Sequence, residues 1–249
     1  MRPPPRTARS AHGSPDSRVL LPPVCILAGG LGTRLGEFVQ DTPKPLLEVA
    51  GAPFAIHQLR LLAEHGARHV VMCVGYLGEQ IVARLGEEQF GIEITYSFDP
   101  PRLLGTLGAI RNALPRLGDR FLVLHGDTYL RIDYRAAAEA WVASEKPGLM
   151  TVLRNQGQWD VSNVEFDGER IVSYDKRAPT RAMEWIDYGL GGLTVAALER
   201  VAPDVSDLAD LLHVLARDRD LFGYAASERF YDIGTPQALA ETGRFLSGQ

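Results

Sequence analysis

The residues best suited to chemistry in this chain are two cations set close behind a cluster of glycines. Ala28-Gly29-Gly30-Leu31-Gly32-Thr33 is followed at once by Arg34 and then by Pro43-Lys44-Pro45. Glycine lets a backbone approach a ligand closely and take positive φ without steric cost. Successive N–H groups in such a turn, backed by a helix N-terminus, form a socket for phosphate oxygens. Arg34 can grip two oxygens as a fork, and Lys44 adds a point charge. The spacing is wrong for a P-loop, because no lysine follows Gly32, and for the dinucleotide G-x-G-x-x-G, because Gly30, Gly32 and Gly36 are spaced one residue too wide. The competing reading is a tight strand-to-helix turn with no ligand; Arg34 and Lys44 weigh against it.

Further along, Gly105-Thr106 opens a helix and could present backbone groups to a nucleobase, although a plain helix start looks the same. Gly126-Asp127 ends an apolar strand, Phe121–His125. A carboxylate just beyond such a strand points into the crevice where α/β sheets bind ligands. It could hold Mg²⁺ against triphosphate oxygens, or merely cap a turn. Asp175-Lys176-Arg177 reads alone as a solvated charge run. Gly189 permits close approach to a ligand or tight sheet packing. Asp232 precedes Ile233-Gly234-Thr235-Pro236, where Thr235 caps a last helix and Pro236 suits its first position.

The elements that must position these groups alternate between strand and helix. Val24–Ala28 and His69–Val74 are continuous apolar runs, as central parallel strands require. Ile92–Phe98 alternates, so it lies nearer an edge. Helices are predicted from Pro53 to Gly66, Leu77 to Leu85, Gly105 to Leu114, Ile132 to Ser144, Val195 to Arg200 and Asp207 to Arg217. Leu149–Leu153, Trp185–Leu193 and Leu221–Ala225 read as strands, and Asn163–Tyr174 as a hairpin turning at Asp167-Gly168.

The 249 residues are 45% hydrophobic, enough for one large α/β core. Net charge is −5, which argues against a general nucleic-acid binder. Residues 1–20 carry four arginines against one aspartate and many prolines, and read as a disordered arm. The rest is acidic, so an anionic substrate calls for locally gathered cations and a metal ion. Cys25 and Cys73 fall in buried strands and read as free thiols, consistent with a cytoplasmic protein. No apolar run approaches a membrane span.

Gly-Gly-Leu-Gly-Thr-Arg-Leu (29–35) with Thr-Pro-Lys-Pro-Leu (42–46) resembles the signature of the sugar-1-phosphate nucleotidyltransferases, and the likeness extends in matching order over about 24–240. It is similar to the short mannose- or heptose-1-phosphate guanylyltransferases and to muramate-type uridylyltransferases. The resemblance implies a Rossmann-like, mostly parallel α/β sheet with a small β-rich lobe over the cleft. It implies one catalytic domain over 21–249, with a nucleotide half to about 150 and a sugar-side half from about 151. It implies transfer of a nucleoside monophosphate from a nucleoside triphosphate to a sugar 1-phosphate, with Mg²⁺ as cofactor and GTP as the preferred donor. In that scheme Arg34, Lys44 and Lys176 are catalytic. Ala28, Gly29, Gly30, Gly32, Thr33, Gly105 and Thr106 hold the nucleotide. Gly126, Asp175 and Gly189 meet the sugar, and Asp127 and Asp232 bind the metal. The assembly is left open, with a homodimer as one option. Two other classes compete. A nicotinamide-dependent dehydrogenase would need an acid ending the second strand, where Val74-Gly75 stand. A silent nucleotide-sugar sensor would be expected to lose Arg34, Lys44 or a metal aspartate, and all are present.

Overall fold

The structure is a computed structural model that describes residues 21–248 apart from 31, 33–34 and 37–40. The proposed arm at 1–20 and the Thr33 and Arg34 side chains therefore lie outside the described residues. In chain order the elements are β1 (Val24–Leu27), β2 (Glu48–Val49), β3 (Ala52–Pro53), α1 (Phe54–Glu64), β4 (His69–Val74), α2 (Gly78–Leu85), β5 (Glu88–Gln89) and β6 (Ile92–Phe98). Then come α3 (Gly105–Ala113), β7 (Arg120–His125), β8 (Thr128–Leu130), α4 (Tyr134–Ala143), β9 (Gly148–Arg154), β10 (Val164–Phe166) and β11 (Ile171–Tyr174). The chain closes with β12 (Trp185–Thr194), α5 (Val195–Leu198), α6 (Leu208–Arg217), β13 (Leu221–Ala226), β14 (Phe230–Asp232) and α7 (Pro236–Leu246).

One 10-stranded sheet organises the molecule, running β11-β10-β12-β7-β1-β4-β6-β5, with β9 and β13 joined to it through β12. Strands β7, β1, β4 and β6 are mutually parallel, and β12 enters antiparallel beside β7. β1 sits at the centre, and its side chains divide between two cores. Val24 and Ile26 pack with Leu59 of α1 and Trp141 of α4, whereas Cys25 packs with Ile110 of α3 and Leu211 of α6. Burial on both faces is why the strand is apolar without alternation. β6 keeps its alternation and has only the short β5 outside it, which makes it the near-edge strand that the pattern called for.

The Val164–Tyr174 hairpin forms as expected, with Asp167 Oδ1 accepting from the Glu169 and Arg170 amides at its turn. It is an extension of the same sheet through β12. The position near 150 where two halves were expected to meet falls inside β9, so the sheet is continuous across it. Besides the short β5, two ribbons of short strands were not foreseen. β8 pairs antiparallel with β14, aligning Thr128 with Asp232. β2 and β3 form a short ribbon. Both are too short to leave a period in the sequence.

Candidate active site

The C-terminal ends of β1, β4 and β7 open onto a cavity of about 240 Å³. Ala28, Gly29, Gly30, Gly32, Lys44, Gly105, Thr106, Gly126 and Asp127 all line it. Residues far apart in sequence meet here because parallel strands carry their C-terminal loops to one edge of the sheet. Gly126 must lie close to β1: a Cβ there would stand 2.9 Å from the Leu27 carbonyl oxygen, whose partner is the Gly126 amide.

Lys44 and Asp127 are ion-paired, Nζ to Oδ2, at 2.9 Å. Burial, the largest single effect, pushes the Asp127 carboxyl up, but the charge and hydrogen bond of Lys44, with His125 and the Thr128 hydroxyl, together hold the group below its ordinary value. Asp127 is thus kept ionised in a half-buried position. The β8–β14 ribbon brings Asp232 beside Thr128, and the Ile233 amide donates to the Asp127 carbonyl at 3.0 Å. Asp232 Oδ1 accepts from the Gly234 amide at 2.7 Å. The ribbon is therefore what joins the two aspartates expected to share a metal ion. No cluster of three or more His, Cys, Asp or Glu ligands forms among the described residues.

On the other flank β12 presents Asp187, Gly189 and Gly191 around a second, smaller hollow whose wall it shares with His125 of the first cavity. The β12 register breaks between Asp187 and Gly191, and Gly189 lies there at φ +105. Lys176 approaches this trough, with Nζ 3.9 Å from Asp187 Oδ2 and above the Tyr174 ring. Asp175 turns its Oδ1 to the Arg177 and Ala178 amides, which hold its carboxyl below the ordinary value. The carboxylate that faces Lys176 is thus Asp187.

The sequence profile of the MobA-like NTP transferase domain matches residues 24–228. The chain belongs to this family. Its relatives include the N-acetylmuramate alpha-1-phosphate uridylyltransferase of Neisseria meningitidis serogroup B, 32% identical, with 87% of this chain and 94% of that protein aligned. The mannose-1-phosphate guanylyltransferase catalytic subunit beta of Drosophila pseudoobscura pseudoobscura is 26% identical over 85% of this chain, which spans 59% of that longer protein. Among solved structures, HddC from Yersinia pseudotuberculosis complexed with GMP-PN superposes with TM-score 0.72 at 23% identity, over 91% of this chain and all of that one. The inositol-1-phosphate CTP transferase from T. maritima gives 0.69 at 18%, over 91% and 98%. At these identities the structural likeness establishes the fold, a nucleotidyltransferase sheet of the Rossmann-like type.

Two residues of this NTP transferase were not singled out from sequence. Asp99, just after β6, lines the first cavity. Its Oδ1 is shielded from solvent and has no hydrogen-bond partner among the described residues, while Oδ2 lies 3.5 Å from the Leu104 amide. Burial pushes its carboxyl up. Asp187 is the other; its position two residues before Gly189, on the same strand face, was the available signal. Thr106 lines the cavity, yet its hydroxyl is engaged elsewhere, accepting from the Leu208 amide at 2.8 Å and meeting Asp207 Oδ1 at 3.3 Å.

Proposed function

We propose that this protein transfers a nucleoside monophosphate from a nucleoside triphosphate to a sugar 1-phosphate, releasing pyrophosphate. Family membership supports the reaction class. The observation that carries it on this chain is the meeting of the glycine turn, Lys44 and Asp127 in one cavity at the C-terminal edge of the sheet. The sugar 1-phosphate oxygen is already an anionic nucleophile, so no covalent enzyme intermediate is needed. Catalysis is then positioning for in-line attack on the α-phosphorus and neutralisation of charge.

In this reading Lys44 leaves Asp127 to meet the α-phosphate when nucleotide binds. Lys176 receives the sugar phosphate at the Gly189 trough, and Asp187 accepts from sugar hydroxyls. Arg34, outside the described residues, would hold the departing phosphates. Asp127 and Asp232 suit Mg²⁺, which takes hard oxygen ligands and is commonly held by one or two carboxylates with substrate phosphates supplying the rest. That agrees with a site built on two aspartates. Bound there, the ion would neutralise the triphosphate.

For the base, the place of the Asp99 carboxyl in the cavity wall supports guanine. Guanine offers two neighbouring N–H donors to a carboxylate, whereas uracil offers one N–H between two carbonyls that repel it. The uridylyltransferase relative makes UTP the competing donor. The decisive experiment is pyrophosphate release with Mg²⁺, each common nucleoside triphosphate, and mannose, heptose and N-acetylmuramate 1-phosphates. Release that needs both one triphosphate and one sugar phosphate is the expected result. Triphosphate binding without release for any sugar would favour a sensor.

A further inference from the structure

We infer that helix α6 is a strut that positions the nucleotide-pocket wall and the Lys176 loop as one unit, and that Arg111 is the residue that anchors it. The inference rests on the nucleotidyltransferase reading for what the two ends do, and on hydrogen bonds for how they are joined.

Arg111 lies on α3, whose first residues wall the cavity. It has no carboxylate partner among the described residues. Its guanidinium instead gathers backbone carbonyls of the segment between α5 and α6. Nη1 donates to Pro203 at 2.8 Å and Val205 at 2.5 Å, and Nη2 to Ala202 at 3.0 Å, with the Leu198 and Val201 carbonyls at 3.4 and 3.5 Å. A planar cation with several fixed donors is well suited to collecting carbonyl dipoles that a helix end leaves unpaired.

Held this way, the segment delivers Ser206 against the pocket wall. The Ser206 carbonyl accepts from the Leu107 amide at 2.8 Å. It lies so near Gly105 that a Cβ there would stand 2.6 Å from it, and Gly105 is at φ +73. The Thr106 hydroxyl then accepts from the Leu208 amide, in the first turn of α6. The N-termini of α3 and α6 are thus cross-linked in both directions.

At its other positions α6 grips the loop that carries Lys176. His213 Nδ1 lies 2.8 Å from the Tyr174 carbonyl; the carbonyl can only accept, so that nitrogen bears the hydrogen. Asp210 pairs with Arg177 at 2.9 Å. Lys176 is therefore flanked on both sides by residues tied to α6, and α6 is tied to Gly105-Thr106. A rigid element held at both ends is the kind of contiguous connection that transmits a constraint between sites. The arrangement couples occupation of the nucleotide pocket to the placement of the lysine that receives the second substrate.

Amide hydrogen exchange on the full chain tests this, comparing wild type with Arg111→Met and with Thr106→Val as a gentler second variant. In free wild-type protein the Leu107 and Leu208 amides should be protected together. In Arg111→Met both should exchange about tenfold faster or more, with 174–178 accelerating alongside and β1 and β7 unchanged. With Mg–GTP or Mg–UTP as probe, wild type should slow exchange at 105–109 and at 174–178, whereas Arg111→Met should keep the first effect and lose the second. Unchanged exchange at 174–178 in Arg111→Met, free or with nucleotide, overturns the strut. If neither triphosphate protects 105–109 in wild type, the nucleotide reading fails instead, and the free-protein comparison still decides the strut.

Discussion

Asp127 combines burial, an ammonium 2.9 Å away and a place at the end of a central strand. Asp127→Asn removes the charge and keeps the shape. Turnover, followed as pyrophosphate release, should fall at least about a hundredfold, with the circular dichroism spectrum unchanged. Near-normal turnover would overturn the metal role proposed for Asp127. Asp99 is the second residue to test. It lines the cavity, and its Oδ1 is buried without a partner among the described residues, which costs free energy. Asp99→Asn replaces an acceptor pair with one acceptor and one donor. The kcat/KM for the preferred triphosphate should fall by about 2 kcal/mol, or roughly thirtyfold, with a smaller loss for the others. An unchanged ratio between GTP and UTP would detach Asp99 from base choice. Of these two residues, Asp127 was visible in the sequence because it ends an apolar strand after glycine. Asp99 was not, because an aspartate before Pro100-Pro101 looks like any turn residue until β6 and α3 enclose it.

Elements carry the next predictions. α7 begins as its sequence indicates, with the Thr235 hydroxyl accepting from the Ala238 amide and Pro236 in the first turn. Thr235→Ala should cost about 1 kcal/mol in urea unfolding. It should also disturb activity, since Asp232 sits just before the cap and its carbonyl accepts from Thr242 in the same helix. At the far edge of the sheet, the Tyr96 hydroxyl donates to the Gly86 carbonyl and ties β6 to the end of α2. Burial, and then the nearby Glu87 charge, push the Tyr96 phenol up from 10.0 to about 12. A proton held more tightly in the folded state means the stabilisation is complete below pH 10 and is lost as pH rises toward about 12. Thermal melts should show wild type losing more Tm over that interval than Tyr96→Phe. Parallel pH dependence in the two proteins would show that Tyr96 is not the titrating group. The helix caps and strand runs were legible locally. The β8–β14 ribbon was not, because it joins residues about a hundred positions apart that share no pattern.

At the scale of the whole molecule, the packing of helix on sheet is tight enough for one methyl group to test it. Gly192 lies in β12 beneath Trp141 of α4, and a Cβ there would stand 2.6 Å from the indole ring. Trp141 is fully buried and is held by its indole N–H to the Lys146 carbonyl at 2.9 Å, so it cannot swing aside. Gly192→Ala should destabilise the fold by about 1–3 kcal/mol in urea unfolding and leave the substrate KM values little changed. A neutral result would mean that α4 rides more loosely on the sheet than its contacts indicate.

The sequence by itself determined the parallel core, the glycine turn with Lys44, the Gly-Asp pair at the end of β7 and the helix caps, since each rests on residues close together in the chain. A strand's apolar run, a cap and a glycine turn are local consequences of steric and hydrogen-bonding chemistry. Tertiary structure alone decided that Lys176 faces Asp187 while Asp175 caps its own loop, that Asp99 is enclosed, that Thr106 bonds to α6 rather than opening its hydroxyl to the cavity, and that Asp127 and Asp232 are joined through a ribbon. Apart from the local cap made by Asp175, these depend on which distant segment packs against a polar group. That is fixed only when the sheet order sets which loops share an edge.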